Sequence, residues 1–204
     1  MSTIHRIHKP RKELNAEEVE KLLLVTGHRV AGWRDHVLYS LAIGSGMREH
    51  ELEALDWDMV LTKDDAGQIK IRTILEISVF KGDERIGGTQ TVRLPPDCQH
   101  KLYIHWRRSN RRITGPVFMS RENNRLSRRA MRHGFKKWQA AANLERHFTF
   151  HSLRHTFCRL AKKAAGNDLT QLQELARHRR IETTMTYAQP GEIELAQTVQ
   201  KIRA

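Results

Sequence analysis

Cysteine is scarce in this 204-residue chain, where Cys98 and Cys158 are the only two. Two thiols cannot build the disulfide framework of a small secreted domain or a cysteine-rich zinc site, so both are expected as free, partly buried side chains. Long apolar runs are missing as well. No stretch reaches the roughly 18 apolar residues of a membrane-spanning helix, and the polar, basic N-terminus lacks the apolar core of a signal peptide. The expected location is the cytoplasm, in association with the nucleoid. Internal repeats and low-complexity tracts are absent. No cluster of Asp and Glu offers a magnesium site. Acidic residues are in deficit, 23 against 36 Lys and Arg, which leaves a net charge of +13. That excess fits a polyanionic partner such as DNA, although a basic surface does not by itself separate DNA from RNA or from an anionic membrane.

The length suits one substantial core, and one compact domain is the default. Residues 1–11 are basic and carry Pro10, which reads as a flexible arm, leaving residues 12–204 as the folded domain. Asn15 and Glu18 form a capping box ahead of a helix with Val19, Leu22 and Leu23 on its apolar stripe. A second helix is predicted from Gly32 to Ile43, broken by Gly44, Ser45 and Gly46, with Arg48 opening the next short helix. Between Asp56 and Pro95 the pattern becomes strand-like. Trp57 to Leu61, Ile69 to Val79 and Thr89 to Leu94 predict a small three-stranded antiparallel sheet, with Lys81 near its second turn. Helical patterns return over Pro96 to Ser109, Ser127 to Ala142, His151 to Ala165 and Asp168 to Arg177, in a short piece before Tyr187, and in a tail from Glu192 to Ile202. The fold class is therefore α+β and mainly helical, a small sheet beside a helical core.

The segment from His151 to Tyr187 collects the side chains that phosphoryl transfer requires. It reads His151-Ser152-Leu153-Arg154-His155 at one end and ends in His178 and Tyr187. A guanidinium offers a planar fork of donors to phosphate oxygens, an imidazole moves a proton near neutral pH, and a tyrosine hydroxyl can attack phosphorus. His147, His151 and His155 also recur every four residues, a spacing that would suit zinc or nickel if all three lay on one helix. Against that reading, the helix is expected to begin near His151 and no Cys or Asp converges there.

These motifs resemble the signature of the tyrosine recombinases, the phage-integrase family. Its His-x-x-Arg pair, later His and nucleophilic Tyr correspond to His151, Arg154, His178 and Tyr187. Gly46-Met47-Arg48-Glu49-His50-Glu51-Leu52-Glu53-Ala54-Leu55-Asp56-Trp57 resembles the family's first motif. Phe80-Lys81-Gly82-Asp83-Glu84-Arg85 followed by Val92-Arg93-Leu94-Pro95 resembles the hairpin that carries its catalytic Lys. The resemblance implies that Arg48 and Arg154 clamp the scissile phosphate, that Tyr187 is the nucleophile and His151 its general base. It further implies that His178 bonds the phosphate and buttresses the tyrosine helix, that Lys81 is the general acid, with Lys70 as a second candidate, and that Glu51 orients its neighbours. Surface ion pairs and packing are the ordinary fates of single residues of these types, and Tyr39 and Tyr103 are read as packing residues.

One departure stands out: Arg177 occupies the place of a Gly that permits a left-handed or tight turn. The implied activity is site-specific recombination of double-stranded DNA by a tetramer assembled on it, with no metal or cofactor. The alternatives are a type IB topoisomerase or a DNA-binding regulator without catalysis. Arg107, Arg108, Arg111, Arg112, Arg128, Arg129 and Arg132 would grip phosphates in each case.

Overall fold

The computed structural model describes residues 12–28, 30–78, 89–166, 168–178 and 181–188, the last with side chains only at 182–185. Their order is α1 (Ala16–Gly27), a 3-10 turn (Val30–Gly32), α2 (Trp33–Ser45), α3 (Glu49–Ala54), α4 (Trp57–Val60), β1 (Leu61–Lys63), β2 (Ile69–Ile71), β3 (Ile74–Ser78) and β4 (Thr89–Arg93). Then come α5 (Pro96–Arg108), α6 (Arg128–Ala141), α7 (His151–Ala164), α8 (Leu169–Ala176) and α9 (Ile181–Ala188). The chain divides into two compact units, Met1–Phe157 and Cys158–Ala204, the boundary falling inside α7.

In the first unit α2 is the central element. Every residue from Asp35 to Ile43 is buried, as expected of a helix surrounded by others rather than laid on a surface. Tyr39 meets Phe135 of α6 edge-on at 5.3 Å and Phe150 at 6.1 Å, so three aromatic rings lock α2 to the segments that follow. Gly44, read from sequence as a helix breaker, lies inside α2. Its function is close approach: a Cβ there would stand 2.5 Å from Cys98 Sγ on α5. The capping box of α1 forms as expected, with the Glu18 N–H donating to Asn15 Oδ1 and the Asn15 N–H donating to Glu18 Oε2, both at 2.8 Å. Both cysteines are buried free thiols.

The sheet differs from expectation. Instead of three strands in one sheet, the described residues form two two-stranded antiparallel sheets, β1 with β2 and β3 with β4. The expected strand Ile69 to Val79 divides at Arg72 and Thr73. There the Arg72 N–H turns to Val60 O and the Leu94 N–H to Thr73 O, both at 2.8 Å, so the chain changes partner strand. Trp57 to Val60 form a helical turn, not a strand, because Trp57 and Val60, three residues apart, both enter the core. In β3, Leu75 and Ile77 are buried while Ile74, Glu76 and Ser78 face out, the two-residue period of a half-buried strand. The arm 1–11, Lys81 and the tail Glu192 to Ile202 lie outside the described residues.

Candidate active site

Gly46 ends α2 with φ +64° and ψ +20°, a left-handed conformation that costs a residue with a Cβ about 1–2 kcal/mol. Space demands glycine as well, since a Cβ at Gly46 would lie 2.2 Å from Cδ1 of Phe157 on α7. Two residues on, Arg48 caps α3 from an extended backbone. Its N–H donates to Glu51 Oε2 at 2.6 Å, and its guanidinium donates to Glu51 Oε1 at 2.9 Å. One carboxylate thus fixes both ends of the arginine. The Glu51 side chain is 4% exposed and that of Arg48 31%, so the cation keeps a face toward solvent while its counter-charge is buried.

Removing the cation should therefore cost more than removing the anion. Arg48→Met leaves a buried carboxylate without this counter-charge, an expected loss of about 3 kcal/mol. Glu51→Gln leaves a guanidinium that water reaches, and about 1 kcal/mol is expected. Urea denaturation of both variants measures the difference, and equal losses would contradict it.

On α7, Leu153 and Phe157 anchor the buried face, and Arg154 is itself only 5% exposed. Its guanidinium donates to the carbonyl oxygen of Gly46, which ties the second arginine to the loop that presents the first. His151, one turn earlier, is exposed yet titrates below the ordinary 6.5; partial desolvation is the largest cause, followed by the positive fields of Arg154 and Arg48. Glu49 opposes that shift and Lys12 adds to it. Arg48, Glu51, His151 and Arg154 are thus brought to one place in the first unit. Two guanidiniums whose positive fields reach one imidazole have the chemistry to pair with a phosphate group beside a proton acceptor. His155 is half-buried and stands edge-on to His151, ring centres 4.7 Å apart. Burial, then the charge on His151 and Lys12, lowers its pKa to about 4. His147 precedes the helix, so the three histidines do not share a helical face.

Among the described residues, four histidines titrate low. Burial is the main cause for His36 and His105, whose ring nitrogens donate to Leu23 O at 3.0 Å and Val117 O at 2.9 Å, as it is for His151 and His155. Below 6.5 the unfolded chain binds protons that the folded chain refuses, so this part of the stability is intact above 6.5 and is lost as pH falls toward about 4. The urea midpoint is expected to be lower at about pH 5 than at about pH 7.5, and a flat profile would contradict the assignment.

In the second unit, Asp168 caps α8 by accepting from the Thr170 N–H at 2.8 Å and the Gln171 N–H at 3.1 Å. At the other end Arg177 takes φ +53° and ψ +45°. The His178 N–H donates to Gln173 O at 3.1 Å and the Arg177 N–H to Glu174 O at 3.0 Å, the paired bonds of a Schellman stop. The left-handed turn is therefore kept with an arginine in it. His178 follows directly, and its Nδ1 lies 3.0 Å from Thr184 Oγ1 on α9, the helix whose backbone carries Tyr187. Sequence reading singled out His178 but missed Thr184 and the Gly46 carbonyl. The two adjacent threonines just before Tyr187 were the available signal for the first, and a backbone oxygen leaves none.

Lys70 is in the β1–β2 hairpin, exposed and 3.4 Å from Asp64. Of the basic clusters, Arg128 pairs with Glu53 at 3.0 Å and Arg132 with Glu49 at 2.6 Å, while Arg108 lies over the Trp33 ring at 4.4 Å. Part of the Arg128 and Arg132 guanidinium donors are therefore engaged by carboxylates of α3. No described helix is long and apolar enough to cross a membrane.

The chain is 30% identical over 182 residues to the tyrosine recombinase XerC of Actinobacillus pleuropneumoniae, covering 86% of this chain and 54% of that protein. It is 28% identical to XerC of Haemophilus influenzae, covering 86% of this chain and 56% of that one. The chain spans about half the length of these curated relatives. The crystal structure of XerA recombinase superposes with a TM-score of 0.73 at 21% identity, over 94% of this chain and 66% of the other. The lambda integrase catalytic core does so with a TM-score of 0.62 at 20% identity, over 83% and 93%. At such identities the two structures establish the fold, which is the α+β arrangement expected. The profile of the phage integrase family matches residues 12–192, and the chain belongs to that family.

Proposed function

We propose that this chain is a site-specific recombinase that cuts and rejoins double-stranded DNA through a 3′-phosphotyrosyl intermediate, giving integration, excision or inversion. The observation that carries the reading is the Arg154 guanidinium bonded to the Gly46 carbonyl, two residues before Arg48, with His151 in the field of both arginines. A pentacoordinate phosphorus concentrates negative charge on its non-bridging oxygens, and paired guanidiniums stabilise that charge.

In the proposed reaction the Tyr187 hydroxyl oxygen bonds to phosphorus and the bond from phosphorus to the 5′-oxygen breaks. His151 takes the phenolic proton, Lys81 supplies a proton to the leaving 5′-oxygen, and His178 donates to a non-bridging oxygen. Attack by a 5′-hydroxyl of the partner strand reverses the step, restoring a phosphodiester and the free tyrosine. No oxidant, metal or nucleotide enters the balance. Glu51 holds Arg48 through two hydrogen bonds. Residues 12–204 are the catalytic domain in this reading, acting in the nucleoid as a tetramer on DNA, with residues 1–11 as a basic arm. The DNA-bound recombinases among the structures of this fold support a DNA partner.

The test is to incubate the chain with fragmented DNA from its source, trap adducts by denaturation, sequence the DNA and identify the modified peptide by mass spectrometry. Adducts at a few sites, with the nucleotide on the peptide containing Tyr187, are the expected result. Scattered adducts would indicate strand relaxation instead. Binding with no adduct would defeat the enzymatic reading of this chain.

A further inference from the structure

Thr184 is fully buried in α9, yet neither helix propensity nor burial favours threonine there. A β-branched side chain loses rotamer freedom in a helix, and a buried hydroxyl left without a hydrogen bond costs about 1–3 kcal/mol. What the residue supplies is a polar contact, Oγ1 to His178 Nδ1 at 3.0 Å. The remainder of His178 is held from α8, its N–H donating to Gln173 O at 3.1 Å and its carbonyl accepting from Gln173 Nε2 at 3.2 Å. The backbone is thus fixed by one helix and the ring by the next.

We infer that Thr184 is a positioning residue that selects the His178 tautomer, its hydroxyl donating to Nδ1 so that the ring proton resides on Nε2. A neutral imidazole carries one ring proton, and the nitrogen that bears it is set by the bond the other nitrogen makes. With Thr184 Oγ1–H donating, Nδ1 presents its lone pair to the hydroxyl and the ring proton sits on Nε2, which makes Nε2 a donor. A donor is what a phosphate oxygen requires; the opposite tautomer would present a lone pair to that oxygen and repel it. The same hydrogen bond ties His178 to a residue three positions before Tyr187, so the orientation of the donor follows the helix that carries the tyrosine. The inference rests on the functional reading for its consequence in catalysis, but the tautomer is a property of the free chain.

The experiment uses the full chain labelled with ¹⁵N-histidine. Long-range proton–nitrogen correlation at about pH 8, above the ordinary histidine range, reports which ring nitrogen of His178 is protonated. The His178 signal is assigned by its loss in His178→Gln. The wild type is expected to show Nε2–H, Thr184→Val a mixture of tautomers, and Thr184→Ser, which keeps the hydroxyl, a return to Nε2–H. With DNA, Thr184→Val should slow single-turnover adduct formation about tenfold at unchanged DNA affinity, with Thr184→Ser within about threefold of wild type. A wild-type Nδ1–H tautomer, or a Thr184→Val spectrum identical to wild type, overturns the inference. Should Thr184→Val fail to fold, the wild-type tautomer and the Thr184→Ser rate decide it. If the wild type forms no adduct, the functional reading fails and the tautomer alone judges Thr184.

Discussion

Arg154→Lys is expected to reduce covalent adduct formation on DNA by about a thousandfold while leaving a folded chain. The guanidinium is a planar fork of five donors, and one of its nitrogens donates to the Gly46 carbonyl. Lysine keeps the charge but concentrates it on one flexible nitrogen, which cannot hold the loop and brace a phosphate in a fixed plane together. Loss of the bond to Gly46 also loosens the loop that presents Arg48, so in the proposed reaction one substitution weakens both arginines. Arg154 is 5% exposed, and thermal unfolding must therefore accompany the rate. A variant that melts near wild type and cleaves within about tenfold of it would show that the fork of Arg154 is not used in the transition state.

Gly46→Ala is expected to be the most damaging single-methyl change in the first unit. The left-handed backbone alone costs an alanine about 1–2 kcal/mol. The new Cβ would also start 2.2 Å from the Phe157 ring, and forcing a methyl into a packed position typically costs a further 1–3 kcal/mol, roughly. A total of about 3 kcal/mol corresponds to a fall in Tm on the order of 10 °C for a chain of this size. Activity should fall with it, because the same carbonyl that Gly46 presents to Arg154 moves when the loop or α7 yields. Gly46→Ala combined with Phe157→Leu should recover the steric part and leave the backbone part. An unchanged Tm in Gly46→Ala would refute the packing described here.

The helices were legible because their signals are local. The Asn15–Glu18 capping box and the helical patterns expected at 32–43, 96–109, 127–142, 151–165 and 168–177 are written within a few neighbouring positions, and those helices lie close to their expected bounds, whereas Trp57–Val60 turned helical in place of an expected strand. The sheet was less legible. A strand that changes partner at Arg72 keeps the same β-rich composition on both sides of the change, so nothing local marks it. Gly44 was misread for a related reason: inside a helix, a glycine needed for the approach of Cys98 looks the same as one that ends it.

The sequence by itself determined the family, the helical character and the identity of the charged side chains, since motif spacing and net charge are properties of the chain alone. Only the tertiary structure decided how Arg48 and Arg154, 106 positions apart, come to share the Gly46 loop, and how a buried threonine meets His178. Those contacts depend on backbone carbonyls, a left-handed turn and the burial of a hydroxyl, and such features exist only once distant segments have packed.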